Sequence, residues 1–374
     1  MNNIQTYLVV TPFFPSEDSF VGSYVFDQIN EIRNQSVFTI EVVKVTSLFS
    51  KEKDYIYKGF RVSVFKTIDI PFFIFPGIFN WVNKIRFKTL LNRRKIENVV
   101  FSHSHVSYPA AYLVEDLVCK KIVQHHGLDV LQLLNGRSNL IKKLQKNYLI
   151  KRTIRQLNRV DLNIGVSELV LNQLREYPTY APKGEIVLYN GVDTSKFYPL
   201  YFTKNEIFTI GCVANFWEIK DQINLIKAVE AISLEGNNIL LRLIGSGIKL
   251  DECCNYVKEH NLESIISFES NKEHTELNVF YNEIDLFVLP SYYEALGCVY
   301  LESWATNTPF IGIEGQGISE LMPDHEKGNL LAVKQSIDSL KEKILGEYNR
   351  RRIYPFVSKY DIKNTIKEFV DGYL

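Results

Sequence analysis

Residues 285–309 read DLFVLPSYYEALGCVYLESWATNTP, and this segment indicates the architecture of the chain. Its apolar run Leu286–Leu289 has the length of a buried strand, and Pro290 stops it. After Gly297 the apolar residues have helical spacing, so the stretch predicts a strand, a tight loop and a helix. In an open α/β sheet, ligands bind beyond the carboxyl ends of the strands, where helix N-termini offer N–H groups to anions. We therefore expect a ligand site in this loop.

Two carboxylates, Glu294 in the expected loop and Glu302 in the expected helix, stand eight residues apart. At about 1.5 Å of rise per helical residue, this step spans at most ~12 Å, which is too long for one shared proton. The two groups therefore need not be an acid and a base, and could hold hydroxyls at opposite ends of one extended ligand. For the spacing alone, two solvated glutamates on a helix face would be the better interpretation.

Apolar strands alternate with polar-faced segments of helical length along the chain, which is typical of a parallel sheet with helices on both faces. The strands expected in the first half are Tyr7–Val10, Thr39–Val45, Val99–Ser102, Ile122–Gln124 and Leu162–Val166. Those expected in the second half are Phe208–Val213, Ile239–Ile244, Ile265–Phe268, Leu286–Leu289 and Phe310–Ile313. Because 374 residues suit two domains, we predict two Rossmann-like α/β domains with ligands in the cleft between them.

Composition excludes several classes of protein. With 23% charged and 46% hydrophobic residues, the chain is of soluble globular type and neither disordered nor fibrous. Its five cysteines form no C-x-x-C pair, which favours reduced thiols and a cytoplasmic location. No signal peptide is expected, because the N-terminus lacks a basic region followed by a long apolar one. The most apolar stretch, Pro71–Phe79, is too short to span a membrane.

A net charge of zero conceals an asymmetry between the two halves. Residues 1–190 hold 25 basic and 16 acidic residues, a net charge of +9, whereas residues 191–374 hold 18 and 27, a net charge of −9. Much of the basic excess lies at residues 84–95 and 137–159, the first stretch just after Phe72, Phe73, Phe75, Phe79 and Trp81. Aromatic and basic residues together suit an anionic membrane surface. A solvated helix face explains them about as well, and nucleic acid is disfavoured because no nucleic-acid-binding motif is present.

The segment 285–309 resembles the donor-site signature of the retaining GT-B glycosyltransferases, family 4 in particular (glycosyl transferases group 1). That signature runs Pro-Ser-x-x-Glu-[Gly/Ala]-x-Gly-x-x-x-x-Glu-[Ala/Ser], and the matching residues are Pro290, Ser291, Glu294, Ala295, Gly297, Glu302 and Ser303. Further blocks match in the family's order: Asn190–Asp193 with Phe197 and Pro199, Gly245–Gly247, and Glu320–Leu321. The resemblance covers nearly the full length of the chain and is specific because the blocks are ordered.

The resemblance implies the GT-B architecture, in which two Rossmann-like domains face a central cleft. Residues 1–192 would form the acceptor domain and residues 193–354 the domain that binds the nucleotide-sugar donor. In the family the last helix crosses back to the first domain, and residues 355–374 are placed to do so.

The resemblance also assigns roles in the second domain. Lys220, expected to open a helix after the strand Phe208–Val213, would grip the donor diphosphate. Glu294 would hold hydroxyls of the sugar and Glu302 those of the ribose. Asn215 stands where the family usually has an arginine, so it can donate hydrogen bonds but supplies no charge. The other expected donor-binding residues are Gly245, Ala295, Leu296, Gly297, Cys298 and Val299.

In the first domain the resemblance points to Gly22 and His126. Gly22 matches one glycine of a loop that approaches the donor phosphates, and Ser23 replaces the second. His126 matches the family's histidine that faces the transferred sugar. His103 and His105 are expected at the end of the strand Val99–Ser102. Zinc is disfavoured because no clustered Cys or Asp accompanies these histidines, and the family's site is metal-free and needs no cofactor.

The implied function is a retaining hexosyltransferase that moves a sugar from a UDP- or GDP-linked donor to a glycan or lipid-linked acceptor, in surface polysaccharide or glycolipid assembly. Cations and N–H groups at the diphosphate would lower the barrier in place of a metal. Retention would follow from front-face attack, without a protein nucleophile. Two alternatives remain open. Asn215, Ser23 and Asn307 depart from the family pattern and fit a catalytically weak binding or scaffold module, and sugar-nucleotide epimerases and phosphorylases share the fold.

Overall fold

The computed structural model describes residues 5–68, 77–127, 140–200, 206–350 and 353–374. The chain divides into two compact units, Met1–Tyr189 with Thr365–Leu374 and Asn190–Asn364. The domain ranges derived from the sequence end at residues 192 and 354. The last helix, Ile362–Tyr373, starts in the second unit, and its residues from Thr365 onward belong to the first.

The first unit is built on an eight-stranded sheet. Its strands are β1 (Thr6–Thr11), β2 (Thr39–Ser47), β3 (Tyr55–Tyr57), β4 (Phe60–Thr67), β5 (Val99–His105), β6 (Lys120–His125), β7 (Leu162–Gly165) and β8 (Glu185–Val187). They lie in the order β3-β4-β2-β1-β5-β6-β7-β8, and only the pair β3 and β4 is antiparallel. The α-helices described in this part of the chain are α1 (Ser23–Gln35), α2 (Asn80–Arg94), α3 (Leu140–Leu157) and α4 (Glu168–Arg175).

The second unit is built on a parallel six-stranded sheet. Its strands are β9 (Phe208–Val213), β10 (Ile239–Ile244), β11 (Ile266–Glu269), β12 (Leu286–Val288), β13 (Phe310–Ile313) and β14 (Leu331–Ala332), in the order β11-β10-β9-β12-β13-β14. The α-helices described here are α5 (Gln222–Leu234), α6 (Leu250–Glu259), α7 (His274–Glu283), α8 (Cys298–Ala305), α9 (Asp324–Leu330) and α10 (Ile337–Arg350), followed by α11 (Ile362–Tyr373). The strand order reverses between β9 and β12, which is the switch point of a doubly wound sheet.

The strands predicted from the sequence are all present, because buried parallel strands carry near-continuous apolar runs. In β12, for example, all three residues are fully buried. The prediction missed β3, β8 and β14, whose two or three residues are too few to show a pattern. It also missed β4, where Phe60, Val62 and Val64 alternate with polar residues and could have been recognised. Among the described helices, none is both long and apolar enough to cross a membrane.

Candidate functional site

The candidate site lies at the carboxyl edge of the second sheet, where the strand order reverses. The loops that follow β9, β12 and β13 are joined there by main-chain hydrogen bonds. The N–H of Tyr292 donates to the carbonyl of Ile219 at 3.0 Å, and the N–H of Gly317 donates to the carbonyl of Glu294 at 3.1 Å. Three loops from distant parts of the chain therefore form one surface.

Lys220 and Glu294 form an ion pair on this surface. Nζ of Lys220 donates to Oε1 of Glu294, and the two side chains are 22% and 12% exposed. The prediction that Lys220 opens a helix is wrong: it ends a short 3-10 helix, Glu218–Lys220, and α5 begins at Gln222. The two helices are separate because Asp221 between them has a left-handed backbone with φ 54°. The pairing with Glu294 joins a cation and a carboxylate that are 74 residues apart.

The backbone of Glu294 is held by two residues that the sequence did not single out. Its N–H donates to Oε1 of Gln316 at 2.7 Å, and its carbonyl accepts from Gly317. A Cβ on Gly317 would lie 1.8 Å from the carbonyl oxygen of Ala295, so no side chain fits there. The sequence does contain a signal for them, the segment Gly315-Gln316-Gly317 one residue after β13, because glycines at such a position are typical of close backbone contact.

Helix α8 begins directly after this loop, with Gly297 at its N-cap in a positive-φ conformation of 80°. The first N–H groups of a helix have no acceptor within it, and they carry a partial positive charge. Cys298 and Val299, which supply the first of these groups, are half-buried, whereas Ala295 and Leu296 are buried in the loop. The loop and the helix start therefore have the form of an anion-binding surface.

Glu302 lies within α8, as predicted, and has a different partner from Glu294. Its Oε2 accepts a hydrogen bond of 2.9 Å from the hydroxyl of Tyr281 on α7. Burial, and secondly the charge of Glu302, raise the pKa of Tyr281 well above its usual value, so the hydroxyl stays protonated. Sequence reasoning missed Tyr281, because the contact joins two helices whose packing depends on the order of the strands.

Gly245 supports the loop that carries Asn215. Its φ is 148°, and a Cβ would lie only 2.0 Å from the carbonyl oxygen of Ala214. The neighbouring N–H of Phe216 donates to the carbonyl of Ser246 at 2.8 Å, so the two backbone segments are in direct contact. Asn215 is exposed on this loop. The structure thus gives Gly245 a supporting position under the loop between β9 and Lys220.

In the first unit, His126 follows β6, stacks on the ring of His105 and makes a tilted contact with the ring of Tyr24. Its ring lies 5.2 Å from that of His105 at an interplanar angle of 16°, and 4.9 Å from that of Tyr24. Nε2 of His126 and Nδ1 of His105 are 2.9 Å apart and share a hydrogen bond. Gly22 is the N-cap residue of α1, and a Cβ there would lie 2.4 Å from the carbonyl carbon of Phe13.

His103 and His105 lie in the last three residues of β5, at the strand end as predicted, although β5 continues three residues beyond the predicted end at Ser102. Both side chains are fully buried, and burial lowers the pKa of His103 to about 3 and that of His105 well below its usual value. Both rings are therefore neutral near pH 7. In the ranges that the structure describes, no group of three or more His, Cys, Asp or Glu side chains is arranged to hold a metal ion.

Two family models match the chain. "Glycosyltransferase Family 4" matches residues 21–196, and "Glycosyl transferases group 1" matches residues 201–348. Gly22 and His126 lie in the first match. Lys220, Glu294 and Glu302 lie in the second.

Similar proteins act on sugars. A glycogen synthase of Mycobacterium tuberculosis is 31% identical over 88 residues, which make up 24% of this chain and 21% of that protein. The O-antigen chain mannosyltransferase RfbU of Salmonella typhimurium is 24% identical over 244 residues, 63% of this chain and 65% of that protein. The chain thus matches less than two thirds of the length of either relative. Among solved structures, HepE of Anabaena in complex with UDP and glucose has a TM-score of 0.72 at 14% identity over 98% of both chains, which shows a shared fold.

Proposed function

Because the chain belongs to the group 1 glycosyltransferases of the GT-B fold, we propose that it transfers a sugar from a nucleotide diphosphate sugar, with retention of configuration. The proposed acceptor is a glycan or a lipid-linked glycan, in the assembly of a surface polysaccharide or glycolipid. Relatives that include an O-antigen chain mannosyltransferase support this class of acceptor. The observation that carries the proposal is the pair Lys220 and Glu294 beside the start of α8.

The pair provides a cation for the diphosphate of the donor and a hydrogen-bond acceptor for the hydroxyls of its sugar. A diphosphate is an anion, so it favours Lys220 and the N–H groups at the start of α8. When the diphosphate neutralises Lys220, the carboxylate of Glu294 is released to accept hydrogen bonds from sugar hydroxyls. The ion pair seen here would thus be exchanged for two interactions with one ligand.

The same groups stabilise the leaving group. As the glycosidic bond of the donor breaks, negative charge grows on the diphosphate, and a fixed cation with oriented N–H groups lowers the barrier. We propose that the chain supplies this charge itself and needs no metal. For retention, the acceptor hydroxyl attacks from the side of the departing phosphate, whose oxygen takes the hydroxyl proton.

A panel of sugar nucleotides tests the proposal. The purified chain is incubated with UDP- and GDP-sugars, with and without a lipid-linked or oligosaccharide acceptor extract, and released nucleoside diphosphate is measured. We expect release from one donor, increased by acceptor and retained in excess chelator. Saturable donor binding without release in the presence of acceptors would support the scaffold alternative, and an interconverted sugar nucleotide without release would support an epimerase.

Peripheral contact with an anionic membrane is a second part of the proposal, and helix α2 carries it. Trp81 and Ile85, one helical turn apart, are 67% and 60% exposed, and Lys88 is exposed on the next turn of the same face. Lys84 does not contribute, because it pairs with Glu115 at 2.6 Å and Asp116 at 3.0 Å. The aromatic residues Phe72, Phe73 and Phe75 and the cation Arg137 of the sequence prediction lie outside the described residues.

We expect the double change Trp81→Ala with Ile85→Ala to weaken binding to vesicles of phosphatidylglycerol and phosphatidylcholine by about tenfold or more, because each apolar side chain contributes about 1–2 kcal/mol on entering the interface. Vesicle sedimentation measures the loss. Val37→Ala, which changes another exposed apolar residue of the same unit, should bind like the wild type. Equal binding of the double variant, or no preference of the wild type for anionic vesicles, contradicts the membrane contact.

A further inference from the structure

We infer that Tyr281 is a positioning residue for the ribose end of the donor, acting through the carboxylate of Glu302. The inference rests on the proposed function, in which Glu302 accepts hydrogen bonds from ribose hydroxyls. Its direct basis is the 2.9 Å hydrogen bond from the hydroxyl of Tyr281 to Oε2 of Glu302. Neither family resemblance nor sequence spacing singles out this tyrosine.

The ring of Tyr281 is held on several sides, so its hydroxyl has a defined position. The side chain is fully buried, and its ring lies 6.0 Å from that of Phe197 and 5.6 Å from that of Phe287, in edge contacts at 64° and 77°. The backbone carbonyl of Tyr281 accepts a hydrogen bond of 2.7 Å from Oγ1 of Thr308. A side chain packed in this way cannot follow a carboxylate that moves, so the carboxylate must orient toward it.

The bond also restrains the orientation of the Glu302 carboxylate. Glutamate has three rotatable bonds and is half-buried here, so a hydrogen bond to a fixed donor reduces the number of orientations that its carboxylate samples. The hydroxyl of Tyr281 can only donate toward a carboxylate, since its raised pKa keeps the proton in place. With Oε2 bound to this fixed donor, the carboxylate is restrained before the ribose arrives, and less ordering is needed on binding.

The test compares two ligands that differ only at the ribose. Binding of a nucleoside diphosphate, UDP or GDP according to the donor, is compared with binding of its 2′,3′-dideoxy analogue by calorimetry, and the affinity ratio is the readout. In the wild type we expect the natural ligand to bind more tightly. Tyr281→Phe is expected to lower that ratio about tenfold, in the range of a hydrogen bond to a charged group, while kcat stays close to wild type and donor KM rises.

Two tyrosines provide matched controls. Tyr300→Phe also removes a fully buried hydroxyl, one that donates to the carbonyl of Leu289 at 2.8 Å, and Tyr256→Phe removes a hydroxyl that donates to Glu230 at 2.6 Å. Both variants should keep the wild-type ratio, although each loses a hydrogen bond. A ratio that falls equally in all three variants reflects general loosening of the unit and overturns the inference.

Failure of the inference and failure of the proposed function give different results. If the wild type binds neither UDP nor GDP, or if Glu302→Gln leaves the ratio unchanged, the proposed donor site is wrong. If Glu302→Gln lowers the ratio and Tyr281→Phe does not, only the inference is wrong. Should Tyr281→Phe not fold, Phe197→Leu loosens the packing of the same ring, and a folded Phe197→Leu protein with an unchanged ratio also overturns the inference.

Discussion

Glu294→Ala is expected to lower donor turnover by about 10²- to 10³-fold, the loss typical of removing one preorganised polar group from a transition state. The backbone of Glu294 is held by Gln316 and Gly317, and its carboxylate lies against Lys220, so the group is oriented before the donor binds. An alanine keeps the loop but leaves the sugar without this acceptor and Lys220 without its partner. Release of nucleoside diphosphate at saturating donor measures kcat, and unfolding curves show that the fold is kept.

A second lysine and glutamate pair of the same unit provides the control. Lys341 pairs with Glu235, both outside the loops of the candidate site, so Glu235→Ala should keep turnover within about twofold of wild type, as for most surface changes. Glu302→Ala should behave differently from both and raise the donor KM more than it lowers kcat. A folded Glu294→Ala protein with wild-type turnover would remove Glu294 from the reaction.

Gly245→Ala is expected to destabilise the second unit by about 3 kcal/mol or more, equivalent to a fall of roughly 6–12 °C in Tm. The new Cβ would lie 2.0 Å from the carbonyl oxygen of Ala214, and φ is 148° in a region that alanine avoids. Because the obstacle is backbone, relief requires the loop between β9 and Lys220 to move. Thermal unfolding measures the loss of stability. A raised donor KM of the folded protein measures the displacement of the loop.

Two other glycines distinguish the effect of close backbone contact from those of positive φ and of helix propensity. Gly236 also has a positive φ, 85°, but a Cβ there meets nothing within 4 Å, so Gly236→Ala should cost only about 1 kcal/mol. Gly346 lies inside α10 with open space around it, and Gly346→Ala should stabilise the protein by about 1 kcal/mol through helix propensity. If Gly245→Ala has the Tm of Gly236→Ala, close backbone approach does not explain Gly245.

Features that depend only on residues close together in the sequence could be predicted from it. The strands β9, β10 and β13 have the predicted ends, because buried strands of a parallel sheet require apolar residues on both faces. The strand, loop and helix of residues 285–309 follow from Pro290, Gly297 and the change in apolar spacing, and these place Glu294 in the loop and Glu302 in α8. The short edge strands carry too few residues for this kind of signal.

The contacts of the candidate site depended on tertiary structure. Lys220 reaches Glu294 only because β9 and β12 are neighbours in the sheet, although the chain makes β10 and β11 between them. Likewise Gln316 reaches Glu294 because β13 lies beside β12, and Tyr281 reaches Glu302 because α7 packs on α8. Local pattern determined which side chains stand at strand ends and on helices. Which of them meet is decided by strand order and helix packing, since these depend on burial summed over the whole sheet and not on any one segment.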